Sequence, residues 1–430
     1  MTKLKLNRRQ SLAMMGGTVA SLAMPSIARA QAIEINVHYS MPAIFKEAQD
    51  AVMEAFTKKH PEVKATYVNP TPTYEDGAQL LLRNAATNSM PDLSFQGLNR
   101  LRMFAERGIA QDLAPLLAKD GDPGKLGYSK ALLGLGFHAK MQCGLAFATS
   151  NPISYFNMDL LKKAGITDAG FPASWDKVIE NAKRIKALGD GNDGMFFRWP
   201  GDDWMFSALL YGHGGRMLND TETDVAFNGP EGLSALKLLD RMVKEGGMPN
   251  YAGTADLQAF AAGKLGQMFR TTAQVRSISN SVGSNFQLQT SPMPVIDPVK
   301  GRLPTGGAGG MITTKDPKKQ EAAWAFLKFA TSAEGTTLMV KNTGYVPCNQ
   351  IAIEDSSYLA DFYQKNPLVQ AATKQVPLMV PWYAFPGQNS VRVTQVMVDN
   401  LARIAEQKAT PEQVLADMAI EVRKLIPRQG

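Results

Sequence analysis

Cysteine and histidine are scarce in this sequence. Its 430 residues contain two cysteines, Cys143 and Cys348, and four histidines. The cysteines form no C-x-x-C pair, and the histidines stand at no H-E-x-x-H or other ligand spacing, so we expect neither a metal site nor a cofactor. The two cysteines could pair in an oxidising compartment, but buried free thiols are the favoured state.

Excess charge is also nearly absent beyond the first thirty residues. The formal charge of the chain is +7, and residues 1–30 contribute +5 through Lys3, Lys5, Arg8, Arg9 and Arg29, with no acid among them. The remaining formal charge of +2 provides no electrostatic basis for binding nucleic acid. We therefore expect no nucleic-acid partner.

Long hydrophobic runs are missing as well, and no stretch is apolar enough for a transmembrane helix. Residues 1–30 have the form of an export signal, with a basic start, a short apolar run and the small-x-small site Ala28-Arg29-Ala30. The pair Arg8-Arg9 resembles a twin-arginine signal, although Ser11 stands where such signals prefer Phe. The alternative is a general secretory signal with two incidental arginines. Either way, we expect a soluble periplasmic protein cleaved near Ala30.

The length and the pattern of the remaining chain predict two α/β lobes, because 430 residues exceed one ordinary core. Residues 33–37 alternate like a strand, Phe45, Ala48, Val52 and Phe56 form a helical stripe, and residues 63–67 alternate again. This strand–helix–strand order is typical of a parallel sheet. Since no low-complexity linker is present, we expect the chain to cross between lobes on ordered strands.

Ser150, in the segment Phe147–Asn157, is a candidate nucleophile or a candidate ligand contact. A nucleophilic serine needs a general base, and neither the G-x-S-x-G elbow nor a suitably placed histidine accompanies it. The glycine run at residues 305–310 lacks the Gly-Lys-Ser/Thr ending of a phosphate loop. It predicts either a flexible lead-in to a strand or a place where backbone N–H groups approach a ligand.

The segment from Phe196 to Trp204 places Trp199 and Trp204 around a Pro-Gly-Asp-Asp turn. A tryptophan face suits the C–H surface of a sugar or polyol, and a flanking aspartate can accept its hydroxyls. Asp202 and Asp203 could also suggest a secreted hydrolase. Adjacent carboxylates point apart, however, whereas glycosidases need two that face each other. Binding is the favoured interpretation, and the protein is not expected to be an enzyme.

A series of short motifs, weak singly, occurs in an order and spacing that covers nearly the whole chain after residue 30. The motifs are Val37–Met41, Phe147–Pro152, Tyr155–Asn157 with Lys162–Gly165, Pro172-x-Ser174-Trp175, Phe260-x-x-Gly263-Lys264, Gly306–Ala308, Gly344–Pro347, Asn366-Pro367 and Thr410-Pro411. Together they resemble the extracellular solute-binding proteins of ABC importers, in carbohydrate-binding family 1, and most of all its glycerol-phosphate-binding branch.

This resemblance implies a type II periplasmic-binding fold, with two α/β lobes joined by strand crossovers and a ligand cleft between them. It places the crossovers near residues 148–152, 290–294 and 344–347. The first lobe would then comprise residues 31–149 and 291–343. The second would comprise residues 150–290 and 344–430.

The resemblance also implies a set of ligand contacts. Those that it carries over are Tyr74, Ser150, Gly307 and Tyr345, with Thr272 and Arg392 placed across small gaps. Tyr39 in the first motif, Gly306 in the glycine run and the tryptophans Trp199 and Trp204 complete the predicted site. An acidic contact of the glycerol-phosphate binders falls near Leu98 or Asn99, where this chain has no acid.

The function so implied is that of a monomeric periplasmic receptor. It would capture glycerol-3-phosphate or a related polyol phosphate and deliver it to the membrane permease of an ABC importer. A neutral mono- or oligosaccharide is the alternative ligand, favoured by the tryptophans and by the missing acid. In the predicted mechanism a ligand bridges Tyr74 and Gly307 of the first lobe and the Trp199–Trp204 loop and Arg392 of the second, so that binding closes the cleft.

Overall fold

The computed structural model describes residues 32–167 and 174–427. The predicted export signal at residues 1–30 lies outside the described residues. The strands of the described part are β1 (Ile33–Tyr39), β2 (Val63–Tyr67), β3 (Leu93–Gly97), β4 (Phe137–His138), β5 (Met141–Gln142), β6 (Leu145–Ser150), β7 (Pro152–Asn157), β8 (Asp193–Phe197), β9 (Leu265–Thr271), β10 (Leu288–Pro292), β11 (Leu303–Ile312) and β12 (Met379–Pro381).

Helices cover most of the chain between these strands. They are α1 (Pro42–Lys59), α2 (Tyr74–Ala86), α3 (Leu98–Glu106), α4 (Ala114–Asp120), α5 (Lys130–Gly134), α6 (Met158–Lys163), α7 (Trp175–Lys186), α8 (Trp204–Gly212), α9 (Pro230–Lys244), α10 (Ala255–Ala261), α11 (Val275–Val282), α12 (Pro317–Ala330), α13 (Ala333–Asn342), α14 (Gln350–Glu354), α15 (Ala360–Lys365), α16 (Gln370–Lys374), α17 (Ser390–Ala405) and α18 (Pro411–Arg423). Short 3₁₀ turns lie at Pro123–Leu126, Thr272–Gln274, Pro367–Val369 and Val376–Leu378.

The strands form two main sheets, which largely follow the two predicted lobes, except that β12 joins the sheet of the first lobe. The first has the order β12-β11-β3-β1-β2, with β6 also paired to β11. Its strands β1, β2 and β3 are parallel, whereas β11 runs antiparallel to both β3 and β6. The second sheet has the order β10-β7-β9-β8. A third, two-stranded ribbon joins β4 to β5.

The first strand–helix–strand unit forms as its sequence pattern predicts. The stripe of α1, at Phe45, Ala48, Val52 and Phe56, is buried. The helix ends at Lys59, two residues before Pro61, because proline disfavours the helical conformation of the residue that precedes it. The parallel pairing of β1 with β2 then follows from the helical crossover between them.

Two later helix starts also match their capping signals. The Ser174 side chain accepts a hydrogen bond from the Lys177 amide at the start of α7. Thr410 and Gln413 form a reciprocal capping box at the start of α18, with Pro411 at its first position. Both helices therefore begin where the sequence predicts.

The chain passes between the sheets on extended segments. Strand β6 ends at Ser150 in the first sheet, and β7 begins at Pro152 in the second, so only Asn151 separates them. Asn151 is buried, and its side chain donates to the Ala372 carbonyl at 2.8 Å. Val346 forms a bridge with Thr149 beside this crossover. The exact limits of the lobes stay a prediction. Strand β12 lies within residues 344–430, which were predicted to belong to the second lobe, but it pairs with β11 of the first sheet.

Candidate functional site

A cavity lies between the two sheets, next to the crossover at Ser150. The volume of this cavity is about 140 Å³, far more than one water molecule needs. Its walls come from both lobes and from the segments between them. The lining residues are Met41, Ile44, Thr73, Tyr74, Glu75, Ser150, Arg198, Gly201, Asp202, Trp204, Arg270, Thr271, Gln274, Gly306, Gly307, Tyr345 and Trp382.

Six of the ten predicted contacts meet in this cavity. They are Tyr74, Ser150, Trp204, Gly306, Gly307 and Tyr345. Tyr74 is the first residue of α2, Ser150 ends β6, and Trp204 begins α8. The fold therefore brings together residues that are up to 271 positions apart in the chain, from Tyr74 to Tyr345. Their roles as ligand contacts remain a proposal.

Tyr39, Trp199 and Thr272 do not line the cavity. Tyr39 is buried at the end of β1, with its ring centroid 5.0 Å from that of Tyr67. Trp199 is buried in the turn after β8, and only Trp204 at the end of that turn reaches the cavity. Thr272 is fully buried, whereas its neighbour Thr271 lines the wall.

Arg392 lies outside the cavity, in contrast to its predicted place in the cleft. Its side chain is exposed on α17, where it lines a separate surface groove with Asp399 and Arg403. The helix turns Val393, Val396 and Met397 inward, which directs Arg392 to the outer face. The resemblance places this arginine only across a gap. A shift of one or two residues along a helix moves a side chain to another face, so the prediction could not determine the side on which Arg392 lies.

The glycine run lies within β11, and all of it is buried. The interpretation as a flexible lead-in to a strand is therefore wrong. Gly307 has φ +124°, and a Cβ atom there would stand 2.0 Å from the Ala148 carbonyl oxygen. A Cβ atom on Gly306 would stand 2.9 Å from Trp204 Cε2. Only glycine allows β6, β11 and Trp204 to approach this closely beside the cavity.

Two arginines of the second lobe reach the cavity, and neither was among the predicted contacts. Arg198 follows β8, within the aromatic turn segment, and forms an ion pair with Asp202 at 3.5 Å. Arg270 lies in β9 and pairs with Asp256 at 2.7 Å, both side chains being buried. No motif marks Arg270, because its partner Asp256 is fourteen residues away in sequence and on another element.

Arg270 retains unused donor capacity. Its Nη1 donates to Asp256, but its buried Nε has no hydrogen-bond partner among the described residues. Burial, reinforced by the neighbouring charge of Arg198, lowers the pKa of Arg270 to about 10. It remains a cation at neutral pH, so a ligand that supplies an acceptor here would satisfy a buried donor.

The cavity also contains two carboxylates, Glu75 at the start of α2 and Asp202 before α8. Leu98 and Asn99, the positions where an acid of the glycerol-phosphate binders is missing, are buried outside the lining. Acidic groups are therefore present in the cavity, from other positions. Among the described residues, none forms a hydrogen bond with Ser150 Oγ, and no histidine belongs to the cavity lining.

Aromatic side chains form another part of the wall. The ring centroids of Trp204 and Trp382 lie 6.4 Å apart, with their planes inclined at 55°. Both indole N–H groups are buried without a partner among the described residues. Such a wall can contact the C–H surface of a polyol, and its donors can reach the ligand's oxygens.

The structure provides no sign of metal chemistry in the part of the chain it describes. In residues 32–167 and 174–427 no group of three or more metal-ligating side chains is present. Cys143 and Cys348 are both free and buried, in agreement with the favoured prediction. Over the same residues, no helix combines the length and apolarity needed to cross a membrane.

Comparison with known proteins identifies the family. Residues 40–337 match the family described as bacterial extracellular solute-binding protein, and the chain belongs to this family. The "Putative binding protein" of Brucella abortus (strain 2308) is 26% identical over 386 residues, covering 88% of this chain and 90% of the relative. The sn-glycerol-3-phosphate-binding periplasmic protein UgpB of Escherichia coli (strain K12) is 28% identical over 290 residues, covering 64% and 65% of the two chains.

Solved structures show the same fold. UgpB from Mycobacterium tuberculosis in complex with glycerophosphocholine has a TM-score of 0.81 at 21% identity, covering 91% of this chain and 98% of that one. A solute-binding protein from Thermotoga lettingae bound with alpha-D-tagatose has a TM-score of 0.79 at 20% identity, covering 92% and 100%. These likenesses, together with the maltose-bound T. maritima MalE3 structure at a TM-score of 0.79 and 19% identity, confirm the predicted type II periplasmic-binding fold.

Proposed function

We propose that this solute-binding protein is the periplasmic receptor of an ABC importer for glycerol-3-phosphate or a related polyol phosphate. It would capture the ligand in the cavity at Ser150 and deliver it to the membrane permease, acting as a monomer. Membership of the solute-binding family supports the receptor role. The similarity to a glycerol-3-phosphate-binding relative supports the ligand class.

The observation that carries the choice of a phosphorylated ligand is the pair of guanidinium groups at one wall. Arg198 and Arg270 both line the cavity that Ser150 lines, and the Nε of Arg270 lacks an acceptor. Phosphate oxygens accept charge-assisted hydrogen bonds from such fixed planar cations. The Ser150 hydroxyl can add a neutral donor from the opposite sheet.

The polyol part of the ligand would lie against the remaining walls. Trp204 and Trp382 offer apolar faces for C–H groups, and Glu75 and Asp202 offer acceptors for hydroxyls. The same features favour the second candidate, a neutral mono- or oligosaccharide. In that case the two carboxylates already balance the two arginines, and the ligand need carry no charge.

A thermal-shift screen separates the two candidates, since a ligand that binds the native state raises its melting temperature by mass action. The panel contains glycerol-3-phosphate, glycerol, glycerophosphodiesters, tagatose and maltose, each with the purified full mature protein. Stabilisation by the phosphorylated compounds, with none by glycerol, supports the proposal. Stabilisation by neutral sugars alone contradicts it and favours the second candidate.

A further inference from the structure

A bidentate ion pair joins helix α3 to the turn that precedes α9. Nη1 and Nη2 of Arg102, on α3, lie 2.7 Å and 2.6 Å from the two carboxylate oxygens of Glu222. Both side chains are half-buried, and neither belongs to the lining of the ligand cavity. Two parallel charge-assisted hydrogen bonds of this kind are stronger than bonds between neutral groups, and they require one defined geometry.

Further contacts keep the two partners in place. Glu106, one turn along α3, accepts a hydrogen bond from Arg102 Nε at 2.7 Å, and the Tyr383 hydroxyl donates to Glu222 Oε1 at 2.7 Å. The hydrogen bond from Arg102 lowers the pKa of Glu222, so this carboxylate is charged at neutral pH. Glu222 also has φ +56°, a left-handed conformation that is unfavourable for residues other than glycine. The contacts of its side chain offset that cost.

The two partners are attached to different sheets. Helix α3 packs against β3 and β11 of the first sheet. The turn of Glu222 is tied to α18, because Asp224 pairs with Arg423 at 2.6 Å. Helix α18 packs against α9, α9 against α7, and α7 against β8 of the second sheet. Arg102 is therefore fixed to the first sheet and Glu222 to the second.

The end of α3 has two more contacts of the same kind. Arg107 Nη2 donates to the Gln388 carbonyl at 3.0 Å, and Glu106 Oε2 accepts from the Gly387 amide at 2.9 Å. Asn389, the next residue in the chain, donates to a backbone carbonyl just after α18 at 3.1 Å. These bonds are polar, so water can replace either partner when the two sides of the molecule separate.

We propose that the ion pair of Arg102 with Glu222 is a clasp that favours the closed arrangement of the lobes, the one seen in this structure, and thereby sets the affinity for any ligand of the cavity. Neither residue lies in the predicted crossover segments at 148–152, 290–294 and 344–347, so the pair can separate when the lobes do. The inference goes beyond the proposed function, because it needs no particular ligand. Both are positioning residues, since neither lines the cavity.

The clasp predicts a uniform change of affinity. A ligand that makes its full contacts only in the closed arrangement binds more weakly when fewer molecules are closed, whatever the chemistry of the ligand. Loss of the ion pair should therefore raise every Kd by one common factor, about three- to thirtyfold for a half-buried pair. If the closed arrangement already prevails without ligand, the loss instead opens the ligand-free protein.

Glu222→Gln tests the clasp, because it keeps the size of the side chain and removes its charge. The matched control is Asp220→Asn, which removes an exposed carboxylate from the same turn. Small-angle scattering measures the radius of gyration of the ligand-free mature protein, and calorimetry measures the Kd of glycerol-3-phosphate and of a glycerophosphodiester. For Glu222→Gln we expect a larger radius, a rise of both Kd values by the same factor, or both changes. Asp220→Asn should match the wild type.

Arg102→Gln and the double variant complete the test. Each single substitution breaks the same ion pair, so the double variant should raise the Kd by less than the product of the two single factors, or the radius by less than the sum of the two increases. The clasp is overturned if Glu222→Gln changes neither quantity, if only one ligand is affected, if Asp220→Asn has an equal effect, or if the two substitutions act independently. If neither compound binds, the proposed function fails, and the radius of gyration alone decides for or against the clasp.

Discussion

Ser150 and Gly306 are paired residues of β6 and β11, and a methyl group on Gly306 would stand 2.9 Å from Ser150 Oγ. The pair lies where the chain leaves the first sheet for the second, and both residues line the cavity. The close approach of the two strands holds the Ser150 hydroxyl at the cavity wall. The packing of this crossover therefore determines the shape of the candidate site.

Replacing Gly307 by alanine should destabilise the protein by at least about 2 kcal/mol, since it adds a Cβ atom at a positive φ and against a backbone carbonyl. Urea unfolding followed by circular dichroism measures the change. The matched control is Gly134→Ala, at an exposed position in α5 with no atom near the added Cβ. That variant should be neutral or slightly more stable, because alanine favours a helix. Equal stability of the two variants would contradict the packing argument.

Removing the Arg198 guanidinium should weaken binding of a phosphorylated ligand. We expect Arg198→Gln to raise the Kd for glycerol-3-phosphate roughly ten- to a hundredfold, which corresponds to the loss of one charge-assisted hydrogen bond of about 1.5–3 kcal/mol. Isothermal titration calorimetry measures the change. Arg392→Gln, which removes an exposed arginine outside the cavity, should leave the Kd unchanged. If Arg392→Gln raised the Kd and Arg198→Gln left it unchanged, Arg392 and not Arg198 would contact the ligand.

Ligand binding should change tryptophan emission through Trp204 and Trp382, the two tryptophans in the cavity lining. Trp204→Phe should remove much of the fluorescence change seen on saturation with a ligand from the thermal-shift screen. Trp199→Phe should keep it, since Trp199 is buried away from the cavity. If the Trp199 variant alone loses the signal, the cavity is not the binding site.

Both thiols should be unreactive in the native protein. Burial raises the pKa of Cys143 and of Cys348 to about 12, so neither forms appreciable thiolate at neutral pH. Ellman's reagent should therefore detect no thiol in the folded protein and two after denaturation. Detection of none after denaturation would instead demonstrate a disulfide.

Export should depend on the arginine pair near the start of the chain. We expect Arg8→Lys together with Arg9→Lys to leave precursor in the cytoplasm, and the wild-type mature protein to begin near Gln31. Cell fractionation and N-terminal sequencing provide the two readouts. Unimpaired export of the double variant would favour the general secretory pathway.

Much of the local structure could be predicted because it depends on neighbours in sequence. The stripe of α1 and the Thr410 capping box are set by side chains three or four positions apart, and both form as expected. The Pro-Gly-Asp-Asp sequence likewise predicts a change of chain direction, and the chain bends at residues 200–203. The sequence does not indicate which of Trp199 and Trp204 lines the cavity, since a turn motif does not determine which ring packs inward.

The sequence by itself determined the family, the two-lobed α/β plan and most of the short-range structure. These depend on the order of motifs and on hydrophobic periodicity, and both can be read from the chain without knowing which residues are in contact. Only the tertiary structure decided the charges of the cavity. Arg198 and Arg270 enter the cavity through the pairing of β8 with β9, and Arg392 is excluded by the phase of α17. These positions depend on how distant segments pack, and packing of that kind leaves no local pattern in the chain.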